Sequence, residues 1–574
     1  MQTLKRVERP RELKWYQAGA MLYGDWGTSK AYVLGIAFAL SGHASWFLLG
    51  LMSGLTALVG ICYMIICRIY PDGGGVYSSV RNRSTTLAVI GAFLLIADYV
   101  VTASLSAYEA FHYFNFPHPE WWAILAIVTI GTMNWIGPTK GGSIASVIGV
   151  LASAVAGILF LSTLPHLLHV DLQLPRGNLS TNWSHFVGIV LALSGVEAVA
   201  NMTGIMVQPV DKTSRRAIWP VLLEVSILTF LLGIAMNAIP GLTNHTEDML
   251  RALGNHYIGP WYGDLIGVVF GFLLLSATNT AVGALVSIQF AMARDRELPS
   301  VFSNLNRYGM PWLALIIAVA VPSFVLVFEH DLVGLASLYA IGVVGAITLN
   351  LGSCATNFDL PLKSWERNLL FIGAGILLLI ELTIAIEKHH ALIFATTIVG
   401  TGLGLRYLAK LVVPVPISEE IAAVNVLTVS EAKEIAPLYK SSSMVALKGL
   451  NLYLLDEAAL RMKARGENSL YLTYVEESPP ARDLPTEVEP SPQSLEILGR
   501  AQKEMEAKGI TAVPIWRFGE DPGKLIADAA KELDVTTVMI GTTKRSALIS
   551  LLRGDVLRTL AHKLPKECHL VIVG

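Results

Sequence analysis

From Gln17 to Leu408 the chain alternates long apolar runs with short polar breaks. A membrane helix needs about 20 consecutive apolar residues, and runs of that length recur here. The pattern predicts twelve spans, at 17–40, 45–67, 87–111, 121–136, 144–164, 186–206, 219–239, 261–292, 312–328, 332–351, 369–386 and 391–408. Basic residues collect in alternate loops. One side carries the N-terminal tail, Arg68, Arg81, Arg83, Lys140, Lys212, Arg215, Arg216, Arg294, Arg296, Arg307, Lys363, Arg367, Arg406 and Lys410, while the other has only Arg176, Arg251 and Lys388. Lys and Arg mark cytoplasmic loops, so both termini are expected to be cytoplasmic, as an even number of spans requires.

Two spans are interrupted in the same style. The first carries Gly24, Asp25, Gly27, Thr28, Ser29 and Lys30 in its middle, and the sixth reads Leu193-Ser-Gly-Val-Glu197. Glycines ease departure from helical geometry, and an unwound turn frees carbonyls to face an ion. A carboxylate in hydrocarbon is costly unless it faces a cavity or a cation. The competing reading starts the first helix near Ala31 and leaves Asp25 at the surface. Breaks five spans apart fit an inverted five-plus-five repeat with two extra helices, its binding site at the midplane between the paired breaks.

Other polar groups sit inside apolar sequence. Asp98, Thr102 and Ser106 step by four along the third span and share one face, with Tyr99 beside them. A polar stripe with a buried carboxylate reads as the lining of a pathway. Tyr70-Pro-Asp-Gly-Gly-Gly-Val-Tyr77 places Gly73, Gly74 and Gly75 after a proline, a re-entrant turn or gate on the cytoplasmic side, or simply a flexible loop. The charged turn Met292-Ala-Arg-Asp-Arg-Glu-Leu-Pro299 reads as solvated.

Past Val412 the character changes. Pro414 and Pro416 introduce a soluble region with β-prone runs at 444–447, 469–475, 512–516, 537–540 and 569–573. Helical stretches fall between them at 454–465, 494–508, 522–532 and 556–562. Such alternation predicts a doubly wound α/β domain with a parallel sheet. The expected division is a tail at 1–16, a membrane domain at 17–412, a linker at 413–440 and a cytoplasmic domain at 441–574. Of the 574 residues, 53% are hydrophobic and 15% charged, against about a quarter charged in soluble chains. A net charge of −2 argues against nucleic acid as a partner. Cys62, Cys67, Cys354 and Cys568 lack metal-ligand spacing and suggest no disulfide framework. No cleavable signal is expected, and no nucleophile–base pair or metal cluster supports an enzyme.

The membrane part resembles the amino acid–polyamine–organocation superfamily, and within it the KimA-type potassium–proton symporters. Four stretches carry the likeness: the first-span break with Asp25 and Tyr32, Tyr70 to Tyr77, Asp98-Tyr-Val-Val-Thr102 followed by Ser106, and Ser194-Gly-Val-Glu-Ala198. Leu338-Tyr-Ala-Ile-Gly342 also looks like the potassium importers, and Gly24-Asp-Trp-Gly-Thr-Ser29 echoes the KUP-type uptake proteins. The resemblance implies an all-α, LeuT-like membrane domain in the cell membrane. It implies potassium held at Asp25 and Asp98, with Tyr32, Tyr99, Thr102, Ser106, Ser194 and Tyr339 lining the ion path and Glu197 exchanging the proton. Lys30 departs from those relatives. Facing the site, its ammonium would repel a cation and favour a substrate with its own carboxylate; it could equally point into a packing gap.

The soluble part resembles the universal stress protein fold. Members that bind ATP carry Gly-x2-Gly-x9-Gly-Ser/Thr, a backbone cradle for phosphates. Here Gly541 and Gly554 keep that spacing, but Lys544 replaces the middle glycine and Asp555 the hydroxyl. An acid there repels phosphate, so no nucleotide cofactor is expected. The resemblance implies instead a dimerising or regulatory domain, with cyclic di-AMP as a regulator. The functional expectation is proton-coupled potassium uptake, with amino acid–proton symport and a membrane receptor as the alternatives.

Overall fold

A computed structural model describes residues 7–8, 11–81, 83–136, 141–167, 172–239, 242, 245–306, 308–329, 331–411, 426–439, 441–477, 487–519, 521–542 and 556–573. Among these, eight helical stretches are long and apolar enough to cross a membrane. The count is nine if the pair Leu179–Gly188 and Val190–Ile205, bent by 44°, makes one span. The first stretch, Trp15–Ile69, is 55 residues long, far more than one bilayer crossing takes. It divides into α1 (Trp15–Trp26), α2 (Ser29–Ser41) and α3 (Ser45–Ile69), with α3 packing back on α2.

The first-span break falls within the expected stretch but is narrower. The helix runs on through Gly24 and Asp25, and only Gly27 and Thr28 leave it. A helix beginning near Ala31 is overturned, because α1 already starts at Trp15 and Asp25 is buried. After α3 comes the glycine turn and a short helix not anticipated from the pattern, α4 (Val76–Arg81). Then follow α5 (Thr85–Tyr113), started by a hydrogen bond from the Leu87 amide to the Ser84 hydroxyl, α6 (Pro119–Trp135) and α7 (Gly141–Leu167).

The sixth predicted span is the most broken element. It consists of α8 (Leu179–Gly188), a tight turn at Val190–Leu193, an unwound Ser194–Glu197, the single turn α9 (Ala198–Asn201) and a last turn at Thr203–Ile205. The remainder is α10 (Val210–Ala235), a further unanticipated helix α11 (Met249–Tyr257), α12 (Pro260–Arg294), α13 (Trp312–Phe328), α14 (Leu332–Thr356), α15 (Ser364–Glu387) and α16 (His389–Leu411). α5 packs between α12 and α14, and α10 packs on α1 and α3. Val147, Val150, Phe324, Leu379 and Ile393 point outward from the peripheral helices, the apolar exterior that a lipid solvent requires.

The soluble domain has a five-stranded, all-parallel sheet. Its strands are β2 (Ser443–Leu447), β3 (Ser469–Glu477), β5 (Thr511–Gly519), β6 (Thr537–Gly541) and β7 (His569–Val573), in the order β5-β3-β2-β6-β7. Four helices alternate with them: α18 (Leu452–Arg465), α19 (Pro492–Ala507), α20 (Pro522–Glu532) and α21 (Val556–Lys563). The order reverses between β2 and β6, as in doubly wound folds. Upstream, α17 (Val429–Tyr439) adds Val429 and Ala432 to one face of this core, and Leu427 bridges to Ile515. Residues 412–425, within or beside the expected linker, lie outside the described residues.

The two parts touch directly. Phe290 and Ala291, near the end of α12, join the apolar core formed by β2, β3 and α18. Arg294 bonds to Glu476 at 3.1 Å and to the Glu489 carbonyl. At the other end of the chain, β1 (Val7–Glu8) pairs antiparallel with β4 (Glu487–Val488), and Glu12 pairs with Lys524.

Candidate functional site

The two helix breaks meet each other. Gly195 has φ +89°, a left-handed backbone that favours glycine. A methyl group there would stand 2.7 Å from the Trp26 amide nitrogen and 3.0 Å from the Asp25 carbonyl carbon. The sixth-span turn is thus pressed onto the backbone of the first-span break. Inside that break, Thr28 Oγ1 donates to the Asp25 carbonyl at 2.5 Å and Ser29 Oγ to the Trp26 carbonyl at 2.7 Å. These hydroxyls occupy acceptors that the interrupted helix leaves open.

Two further helices close the cluster. Asp98 on α5 is fully buried. Its backbone abuts Gly342 on α14, where a methyl would lie 2.7 Å from the Asp98 nitrogen. Thr102 Oγ1 donates to the Asp98 carbonyl at 2.9 Å and lies 3.3 Å from its Oδ1. Asp98 Oδ2 has no hydrogen-bond partner among the described residues. The carboxylate is close enough to Glu197 and Asp25 to interact with both charges. Tyr32 lies within hydrogen-bonding reach of Thr28 and Tyr339 and beside Asp25 and Asp98, and the Tyr339 hydroxyl bonds to Ser194. Asp25, Asp98, Glu197, Tyr32, Thr102, Ser194 and Tyr339 are all buried, so this conformation holds the cluster closed to solvent.

The remaining expected residues lie around it. Ser106 is buried one turn beyond Thr102 and takes part in none of these bonds. Tyr99 turns elsewhere, its hydroxyl accepting from Asn201 Nδ2 at 3.0 Å. That contact leads to the glycine turn. The Gly74 amide donates to the Ala200 carbonyl at 3.0 Å and to Thr203 Oγ1 at 3.1 Å, and its carbonyl accepts from Asn350 at 3.0 Å. Gly73 has φ +146°, and a methyl on Gly75 would overlap Asn201 Oδ1. The triple glycine is thus a turn anchored between the sixth-span end and α14. In the soluble domain Gly541 ends β6 beside Asn451, whereas Lys544, Gly554 and Asp555 lie outside the described residues.

Lys30 does not face the acids of the cluster. It is wholly buried against α10, with Nζ 2.8 and 2.7 Å from the two carboxylate oxygens of Glu224 and 3.2 Å from the Tyr23 hydroxyl. Tyr23 donates to Glu224 at 3.0 Å. Glu224 was missed from sequence, although an acid inside a predicted span was signal enough to pair with the odd lysine. Tyr63, beside Glu197, and Asn201 and Asn350 were missed for want of any local pattern.

Residues 13–402 match the amino acid permease family and residues 451–571 the universal stress protein family. The potassium transporter KimA of Bacillus subtilis is 25% identical over 407 residues, 63% of this chain and 64% of that one. A probable amino-acid permease of Schizosaccharomyces pombe is 27% identical over 139 residues, 23% of this chain and 28% of that one. The chain spans less than two thirds of the length of either relative. A solved universal stress protein from Archaeoglobus fulgidus, 21% identical, aligns over 23% of this chain and 98% of its own with a TM-score of 0.19. With the first match running through most of its length, this chain belongs to the amino acid permease family and carries a universal stress protein domain at its C-terminal end.

Proposed function

We propose that this protein imports potassium across the cell membrane, coupled to protons, by alternating access. The observation that carries the reading is the sequestration of Lys30 by Glu224. It leaves Asp25, Asp98 and Glu197 converging without that ammonium among them, amid hydroxyls and opened helix backbone. Carbonyl and hydroxyl oxygens replace the hydration shell of potassium, and a carboxylate supplies the charge. A zwitterionic amino acid would bring its own carboxylate into this acidic surrounding. The likeness to a potassium transporter supports the same choice. In this reading Asp25 and Asp98 hold the ion, Tyr32, Thr102, Ser194 and Tyr339 line its site, and Glu197 exchanges the proton. Tyr99 and the anchored turn at Gly73 to Gly75 form the cytoplasmic gate.

The architecture we propose has twelve crossings in a five-plus-five inverted repeat plus two, since helices fall on each predicted stretch and the two broken ones abut. Both termini are assigned to the cytoplasm. The pairing of β1 with β4 supports this by putting the tail and the soluble domain on one side. The soluble domain is assigned to dimerisation and regulation.

The test is rubidium uptake into proteoliposomes at fixed potential, with and without an inward proton gradient, against uptake of labelled amino acids. Parent protein should accumulate rubidium and be accelerated by the gradient. Asp98→Asn should abolish uptake while remaining folded, because the amide keeps the shape and loses the charge. Glu197→Gln should bind the cation yet lose the acceleration. Amino acid uptake without rubidium uptake overturns the ion assignment, and absence of any uptake revives a receptor.

A further inference from the structure

The polar stripe on α5 does not end at Ser106. Glu109 continues it at spacings of four, four and three, so it shares a face with Asp98, about 16 Å further along the helix. It is completely buried, and neither carboxylate oxygen has a hydrogen-bond partner among the described residues. A buried, unpartnered carboxylate is among the costlier things a fold can hold.

Its surroundings add charge of the same sign. Glu247 and Asp248, in the segment leading into α11, are close enough to interact with Glu109. That segment lies over the outer half of the first span, where Gly35 presses against the Thr246 carbonyl. The neighbouring α5 end is fastened there too, by Tyr113 donating to the Ala31 carbonyl at 2.7 Å. The nearby basic groups leave Glu109 itself alone: His112 Nδ1 lies 2.9 Å from Glu247 and His245 Nδ1 2.9 Å from Asp248, while Arg251 pairs with Asp264 at 2.6 Å. Among the described residues no three acids, histidines or cysteines lie close enough to chelate a metal. A single unpartnered carboxylate with acids nearby fits one loosely held monovalent cation.

We propose that Glu109 anchors a second cation site on the outer approach to Asp98, with Glu247 and Asp248, just ahead of α11, adding negative potential around it rather than ligating the ion. It would take a partly hydrated potassium ion from outside and hold it until the midplane site opens. Such a waiting site must bind well enough to fill and weakly enough to pass the ion on, the same balance that successive sites in a pore keep. The inference rests on the potassium reading above, and the test separates the two.

Rubidium binding to purified protein should show two classes in the parent. Asp98→Asn should lose one class and keep the other, and D98N/E109Q should lose both. In proteoliposomes, Glu109→Gln should raise the rubidium concentration for half-maximal uptake about tenfold, the size of effect that local charge focusing gives, with little change in the maximal rate. The variant E247Q/D248N, altered only at partly exposed loop positions, should move it in the same direction even if Glu109→Gln folds poorly. Half-saturation at the parent value in both variants overturns the outer site, as does loss of all binding in Asp98→Asn alone. A parent that binds no rubidium overturns the potassium reading and this one with it.

Discussion

Glu224→Gln isolates the buried ammonium of Lys30. The parent pair has both Nζ–O distances under 3 Å and a lysine side chain with no solvent exposure. Removing one partner of such a pair leaves a charge with neither counter-ion nor water, which costs about 3–5 kcal/mol. Replacing both by apolar groups of similar volume removes the desolvation penalty along with the attraction. It is expected to be neutral or stabilising by about 1–4 kcal/mol. The double variant K30M/E224M should therefore melt at or above the parent temperature, while E224Q melts well below it. Tyr23 keeps Ser153 within hydrogen-bonding reach when Glu224 is gone. The assay is thermal melting of the detergent-solubilised protein across the full cycle, followed by rubidium uptake for K30M/E224M. Because Lys30 lies outside the acidic cluster, that variant should retain uptake and cation preference. Equal melting of E224Q and parent would refute the buried-pair argument. Loss of cation preference in K30M/E224M would put Lys30 back in the site.

Gly195→Ala should be damaging: the left-handed backbone alone costs a non-glycine residue about 1–2 kcal/mol, and its methyl meets the Trp26 backbone. Normal melting and normal uptake in that variant would refute the packing of the two breaks. Truncation after Val412 should leave a membrane core that still takes up rubidium but differs in oligomeric state or regulation, read by size-exclusion with light scattering and by uptake. It uncovers Phe290 and deprives Arg294 of Glu476. A truncated protein indistinguishable from the full chain in all three respects would leave the domain without a role.

Several elements were readable from residues alone because one local signal dominates each. The five strands of the soluble domain fall within a few residues of the β-prone runs, and the broken sixth span follows from Ser194-Gly-Val-Glu197. The first break was drawn too wide because Gly24 suggests unwinding, yet it stays helical with nothing crowding it. What sequence could not supply is rotation about a helix axis and contact across distance. Lys30 and Asp25 lie five residues apart, but the intervening turn sends one toward α10 and the other toward α5 and the sixth-span break. The short helices α4 and α11 have too few residues for periodicity to register. Glu109 was legible in principle, since its spacing from Asp98 continues the stripe.

The strand β1 finds its partner β4 near the opposite end of the chain, and Glu12 and Lys524 are likewise far apart in sequence. Between them, Arg11 reaches the Pro71 carbonyl at 3.0 Å and the Thr203 carbonyl at 3.3 Å, and the Leu13 amide bonds to the Ile205 carbonyl at 2.9 Å. This arrangement orders biosynthesis. The first helix enters the membrane long before residues 487–488 leave the ribosome, so the tail must wait through insertion of every later span. Contacts this distant in sequence form late, and domains generally fold as units from the N-terminal side. Pairing of β1 with β4 and of Glu12 with Lys524 is thus a late event of assembly. A bulky fusion placed ahead of β1 would burden that late step rather than the insertion of any helix.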